Sequence, residues 1–370
     1  MQFIGVDLHT NKFTCCYRYD KPQPDWKGEK WTQTFSFDAL EFKGFCDSLT
    51  PQTYVLVEAT ITTFTFARLI QPYVKEVIVA NTYELKQISL ARKNTDKIDA
   101  DILCRIIKMQ VLSGEKAVSP VAIPPKEIQE LRGLFTTYRF YKKQSTQTKN
   151  RIHSLLKEKL YGFTQEEIFD KKSRKKIREL ETDTVLSFQI FQLFKNLEFM
   201  EGQVEKLQEK IMEKAEPYMR EIDILTSIKG VSVFIAIAII ADIIKVDRFK
   251  NSKAFTSYLR SAPRVSNSNT SVSIRGTNKK GRKLSSTLLS QSLNHVLDAS
   301  PKLNNWYNRL TKYKKAGLVR SGLRRRIMAE MYQMLKKGEY HYGREALKHE
   351  AKIQQYKKFL KKRKNFVETA

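Results

Sequence analysis

Cysteine is scarce, with four residues in 370: Cys15, Cys16, Cys46 and Cys104. They form no CxxC pair and stand near no histidine cluster, so neither a disulfide framework nor a zinc site is indicated and reduced, buried thiols are expected. Long apolar runs are also missing. The longest, residues 231–244, is interrupted by Ser232 and Asp242 and falls short of the roughly 18 residues a membrane span needs, so it reads as a buried helix and no membrane partner is expected. The opening string Met1-Gln2-Phe3-Ile4-Gly5-Val6 begins as a strand, without the charged and apolar regions of a signal peptide, which points to the cytoplasm. Acidic residues are in the minority, 39 Asp and Glu against 67 Lys and Arg, for a net charge of +28. Such a field suits a polyanion rather than a small neutral substrate.

The length allows two or three domains. Residues 3–6, 13–19, 31–37, 54–57 and 76–79 have strand length and β-branched or aromatic enrichment, whereas 40–49, 63–74 and 96–112 have helical spacing. Three strands followed by alternating helix and strand predict a mixed α/β sheet with antiparallel opening hairpins. Residues 113–126, with Gly114, Pro120 and Pro124-Pro125, read as a linker. Beyond it, Ile128, Leu131, Leu134, Phe135 and Tyr138 recur at helical spacing. Leu197, Val204 and Ile211, with Met200 and Leu207, form an a/d seam, predicting two long helices packed as a hairpin or coiled coil. Between them Lys171, Lys172, Arg174, Lys175, Lys176 and Arg178 look too polar to pack and suited to phosphates, a solvated loop being the alternative. The glycine turn around Ile228-Lys229-Gly230-Val231 fits a phosphate-binding helical hairpin or, equally, a packing corner. A Ser/Asn-rich stretch follows at 261–281, then a helix over 282–297. The basic residues from Arg324 to Lys364 suggest an arm partly ordered only on nucleic acid. The expected divisions are 1–115, 116–216, 217–340 and a basic tail 341–370.

Four acids stand out. Asp7 ends the first strand and Glu58 a later one, and Asp96 and Asp99 lie three apart, on one face of a helix. Together they suit two Mg²⁺ ions for phosphodiester chemistry, because hard cations take oxygen ligands. Each also has a plainer reading: Asp96 as an N-cap with Asp99 as a capping acid, Glu58 as a solvated charge, Asp7 in a phosphate loop. Asp101, two positions beyond Asp99, is left outside the set.

The strings Phe3-Ile4-Gly5-Val6-Asp7-Leu8-His9, Val57-Glu58-Ala59 and Thr95-Asp96-Lys97-Ile98-Asp99-Ala100 resemble the RuvC-like DEDD domain of the insertion-sequence one-ten family of transposases, a group that includes the Piv invertases and the bridge-RNA-guided recombinases. The resemblance continues through Ile228-Lys229-Gly230-Val231, Ala241-Asp242-Ile243, Arg248-Phe249 and residues 258–264. It implies an N-terminal RuvC-like domain of ribonuclease H fold, central coiled-coil helices and a helical C-terminal transposase domain. The family's catalytic Ser-Gly falls here on Ser268-Asn269, with Ser266 and Ser271 close by. Further implications are a phosphoserine intermediate, Mg²⁺ on Asp7, Glu58, Asp96 and Asp99, donor and target DNA as substrates, a structured bridge RNA, and a homo-oligomer, expected to be a tetramer.

No His or Cys adjoins Ser268, but Arg264, Arg275, Lys279, Lys280, Arg282 and Lys283 offer cations for the scissile phosphate. Two other classes remain. The string Ile4–Thr10 also resembles the first phosphate loop of actin-like ATPases and sugar kinases, although no second phosphate loop of Asp-x-Gly-Gly type follows. A packaging protein using its basic arms alone is the non-enzymatic alternative.

Overall fold

The computed structural model describes residues 1–21, 29–82, 85, 95–180, 184–268, 271–277 and 281–368, which divide into two compact units, Met1–Pro124 and Pro125–Ala370. The first is built on a five-stranded sheet in the order β3-β2-β1-β4-β5, with β1 Gln2–Leu8, β2 Lys12–Tyr19, β3 Trp31–Ser36, β4 Thr53–Glu58 and β5 Glu76–Ala80. The pairs β1/β2 and β2/β3 are antiparallel, and β1/β4 and β4/β5 are parallel. The mixed sheet with opening hairpins agrees with the sequence pattern and is consistent with a ribonuclease H-like domain.

Strand alternation sends successive side chains to opposite faces. Ile4 and Val6 of β1 and Val55 and Val57 of β4 pack with Phe45 and Phe66, from helices α1 (Ala39–Asp47) and α2 (Thr63–Ile70). Phe13 is the hub of an aromatic cluster on that side, its ring centroid 5.0–5.3 Å from those of Phe35, Phe45 and Phe66. Phe3, Tyr54 and Leu56 project the other way, onto Leu103, Cys104 and Ile107 of α3 (Asp96–Ser113). Helix α2 ends at Ile70, short of the expected residue 74, because Pro72 turns the chain into a 3₁₀ segment. All four cysteines are buried and free. The expected linker is partly structural: Pro120 bridges Ala80, and the Val121 N–H donates to Val79 O (2.7 Å).

The second unit is largely helical. The long helices α4 (Lys126–Glu158) and α7 (Thr184–Lys214) pack along each other, and Leu197, Met200, Val204 and Ile211 of the predicted seam are buried. Short helices α5 (Gln165–Phe169) and α6 (Lys171–Arg178) lie between them in sequence, followed by α8 (Met219–Thr226), α9 (Val233–Ile243), α10 (Ser252–Tyr258), α11 (Leu284–Asp298), α12 (Pro301–Thr311), α13 (Ala316–Lys337) and α14 (Ala346–Glu368). Helix α9 is the apolar stretch noted in the sequence, and Ile235 to Ile243 are all buried, as a helix apolar all round requires. No helix among the described residues is long and apolar enough to cross a membrane.

One expectation changes here. The basic tail is a helix with Ile353, Tyr356 and Leu360 buried, and Tyr356 Oη donates to Met212 O (2.6 Å), so an apolar stripe hidden among lysines docks it. One core joins Leu131 of α4, Ile211 of α7, Ile237 of α9 and Leu360 of α14, so residues assigned to separate segments share their burial.

Candidate metal centre

The acidic corner follows from how closely α3 approaches β1. A Cβ on Gly5 would sit 2.1 Å from Ala100 O and 2.2 Å from Cys104 N, so only glycine lets the helix backbone lie on the strand there. Two residues on, Asp7 projects to the same face. Glu58, one step past the Val6↔Val57 pair, projects beside it from the end of β4. Helix α3 starts at this edge. Thr95, not Asp96, is its N-cap, extended at φ −134° and accepting from the Ile98 N–H (3.4 Å). Asp96 and Asp99 therefore occupy the first turn without serving as the cap, where the helix dipole favours negative charge.

His9 completes the group. Its Nε2 lies 3.1 Å from Asp7 Oδ2 and 3.1 Å from Asp96 Oδ1. One ligand atom from each of Asp7, His9 and Asp96 falls within 4.8 Å of the others, close to the ~4 Å span of an octahedral shell. Lys12 donates to the other oxygen of Asp96 (2.9 Å). Burial raises the Asp7 pKa, His9 opposes the rise, and Asp99 and Asp96 add to it by repulsion. Asp96 moves the opposite way, lowered first by its hydrogen bond from Lys12. The His9 Nε2 atom is buried yet makes no well-aligned hydrogen bond, although two carboxylate oxygens flank it. An orphaned nitrogen between two anionic oxygens fits a divalent cation. Asp7, Asp96 and His9 would hold it directly; Glu58, at the end of β4, and Asp99, in the first turn of α3, fall outside the group whose ligand atoms come together.

The one sequence signal for His9 is its spacing: Asp7 and His9 are two apart at a strand end and so share a face. Asp101 belongs elsewhere. It is buried among Arg18 Nη2 (2.7 Å), Lys30 Nζ (3.0 Å) and Arg105 Nη2 (2.9 Å), and although burial works against its charge, these cations hold its carboxyl far below the usual range.

Ser268 lies at the end of a hairpin that the Ser/Asn-rich composition did not announce: β6 (Pro263–Ser268) pairs antiparallel with β7 (Ser271–Thr277). Ser268 is opposite Ser271 and Ser266 opposite Ser273, which places the three candidate serines toward the hairpin's tip; Arg264 and Arg275 sit on its two strands. Asn269, Lys279 and Lys280 lie outside the described residues. The hairpin's root is fixed. Gly281, at φ +100°, has no room for a Cβ, which would meet Tyr258 O at 2.1 Å. The Arg282 N–H donates to Tyr258 O (2.8 Å), and its Nε donates to Asp242 Oδ1 (2.9 Å). Asp242, fully buried, also accepts from the Ser285 N–H (2.9 Å) in the first turn of α11. Arg282 is thus partly committed to structure.

The basic cluster is a helix, α6, and not the solvated loop considered. Arg174 is buried, donating to both carboxylate oxygens of Glu201 (2.6 and 2.9 Å) and to Ile168 O (3.1 Å), which withdraws it from the phosphate-binding set. Burial opposes the charge of Glu201, yet Arg174 and Lys149 bring its carboxyl down to about 2. Lys172, Lys175 and Lys176 remain exposed; the side chain of Lys171 lies outside the described set. The glycine turn at 228–231 is a packing corner. A Cβ on Gly230 would meet Val296 N at 2.7 Å, and Lys352 Nζ donates to Thr226 O and Val231 O.

A mixed sheet presenting acids at the ends of its central strands, in a chain of such positive charge, defines a protein suited to metal-assisted work on nucleic acid. Two family models match in the corresponding places: a DEDD transposase model of the IS110 group over residues 4–160, and the transposase IS116/IS110/IS902 family over residues 222–308. The chain belongs to the IS110 family of transposases, which act in DNA transposition. The DEDD domain implies use of a divalent metal. A search among curated proteins finds no match.

Proposed function

We propose that the chain cuts and rejoins donor and target DNA through a phosphoserine at Ser268, using Mg²⁺ held by Asp7 and Asp96 beside His9, with Glu58 and Asp99 completing the acidic set, and with sequence choice delegated to a structured bridge RNA. The observation that carries this reading is the meeting of Asp7, His9 and Asp96 at a strand edge, with no lysine or arginine on Asp7 among the described residues. A divalent ion bound there supplies positive charge to the oxygens of the attacked phosphate. In the covalent step a bond forms from Ser268 Oγ to phosphorus while a phosphorus–oxygen bond to the sugar breaks. The serine loses a proton and the departing sugar hydroxyl gains one. Attack by a hydroxyl of another strand reverses the step, rejoining DNA and freeing the serine. Arg264, Arg275, Lys279, Lys280, Arg282 and Lys283 are the cations assigned to the phosphate. Sequence choice by RNA fits the lack of a recognisable base-reading motif in the chain, and the working form is a homo-oligomer, expected to be a tetramer.

The test is cleavage of supercoiled plasmid carrying donor and target sites, with Mg²⁺ and the RNA encoded beside the reading frame. Ser268→Ala should abolish covalent protein–DNA adducts while leaving nucleic-acid binding intact. Adducts that persist move the nucleophile to Ser266 or Ser271. Mobility shifts without metal-dependent cuts would establish the packaging alternative, and specific ATP binding the kinase one.

A further inference from the structure

We infer that the groove between α4 and α11 is a binding site for an unpaired stretch of a polynucleotide strand, with phosphates on Arg139, Lys142 and Lys143 and a base stacked on Phe140. The groove has a volume of about 510 Å³ and is lined by those four residues together with side chains of α11 that include Leu284, Leu288 and Gln291. No carboxylate lines it. The charge bias is written into the helix, because between Glu130 and Glu158 α4 carries seven Lys and Arg and no acid. Some of these cations are engaged elsewhere: Arg132 donates to the carbonyls of Ala241 and Asp242, and Lys149 pairs with Glu201. Arg139, Lys142 and Lys143 are exposed and have no acidic partner among the described residues. They follow one another at helical spacing along the groove wall.

The aromatic residue turns a basic face into a strand site. Phe140 is 56 % exposed, and its ring stands edge-on to that of Tyr141 at 5.5 Å and 77°. An exposed phenylalanine on a surface helix is unremarkable by itself. Lining, together with three cations, a groove that Leu284 and Leu288 also line, it offers a π-face beside phosphate-binding groups. Unstacked bases favour such platforms, and duplex bases, already stacked, gain nothing from them. An acidic peptide would use the cations without needing the ring, which makes the ring the feature that selects a nucleotide.

The inference is independent of whether the chain cuts DNA, and its test reads binding alone. Full-length protein would be titrated with fluorescent single-stranded RNA, single-stranded DNA and duplex DNA over a range of salt. Phe140→Ala is expected to weaken single-strand binding by about 5- to 150-fold, the range for loss of one stacked base, while duplex binding stays as it was. Phe140→Trp should restore it. Replacing Arg139, Lys142 and Lys143 together with alanine should lower the salt slope for a single strand by about 2, the share of three phosphates. Preference for RNA or for DNA identifies which strand occupies the groove, and either supports the site. Equal losses on duplex and single strand for Phe140→Ala would overturn it, as would an unchanged salt slope in the triple variant. All four residues are exposed, and melting curves of the variants would verify that the fold is retained.

Discussion

Asp7 and Asp101 serve the same sheet and the same helix, yet their surroundings act on them in opposite directions. Asp101 is saturated by Arg18, Lys30 and Arg105, and its charge is stabilised far beyond that of a free carboxylate. Asp7 is partly buried, shares a histidine with Asp96 and faces the charges of Asp99 and Asp96, so ionisation is penalised. One carboxylate is complete within the fold. The other is left short of positive charge, and that shortfall separates a metal site from a staple where composition and exposure do not.

The largest effect expected from this contrast concerns Asp7→Asn. Metal-dependent DNA cleavage should fall below detection. Without divalent ions the variant should melt at a higher temperature than the parent: a carboxyl whose pKa is raised by folding destabilises the folded state above that value, and amide replacement removes the penalty. The rise in melting temperature that Mg²⁺ or Mn²⁺ gives the parent should vanish. A variant that melts lower, or that still responds to metal, breaks the comparison at its root. The pH dependence has the same sign, since divalent binding should weaken as pH falls through the raised Asp7 value, above the ordinary aspartate range near ~3.9.

Asp101→Ala should do the reverse, costing about 3–5 kcal/mol of stability in denaturant titrations because Arg18 is left semi-buried without its anion. The depressed carboxyl stabilises the fold at pH above its unfolded value and loses that contribution as pH falls below it. Acidification below about 4 should therefore destabilise the parent more than the variant. Gly5→Ala ranks next. Its methyl group drives into the α3 backbone and should cost roughly 1–3 kcal/mol or more, and by displacing Asp96 and Asp99 from Asp7 it should weaken metal binding too. If stability drops and metal affinity is untouched, the acids do not depend on that close approach.

Most of the first unit was legible because its elements follow the period-two and 3.6-residue rules, and the expected strands lie within two residues of those observed at each end. Asp7 and Asp96, the two of the four acids whose oxygens come together, stand where local signals are strong, at a strand end and a helix start. His9 was hidden by its ordinary place in a turn, where only the three-dimensional return of α3 gives it a second carboxylate. In the second unit the hairpin at 263–277 was obscured by polar residues, although Val265, Val272 and Ile274 do alternate. Arg174 looks solvated in sequence for a physical reason: a guanidinium can be buried when a carboxylate and a carbonyl satisfy it, and that carboxylate, Glu201, is 27 positions away. The docking of α14 escaped notice because three apolar residues among many lysines look solvated until a core is present to receive them.

His9→Ala sharpens the comparison most finely. If the imidazole only fills space beside Asp7, its removal deepens the repulsion between Asp7 and Asp96 and leaves metal affinity the same or higher. If Nε2 is the third donor, or holds the two carboxylates in register, affinity for a divalent ion should fall by about 10- to 100-fold, as for other groups that orient metal ligands. Calorimetric titration with Mn²⁺ distinguishes these outcomes, and His9→Gln, which keeps a polar group without an imidazole, should lie between the parent and His9→Ala. Lys12→Ala provides the opposing control. Removing the cation that occupies Asp96 Oδ2 raises the negative charge available to a metal, so affinity should rise modestly, and a fall instead would mean that Lys12 holds Asp96 in its binding position.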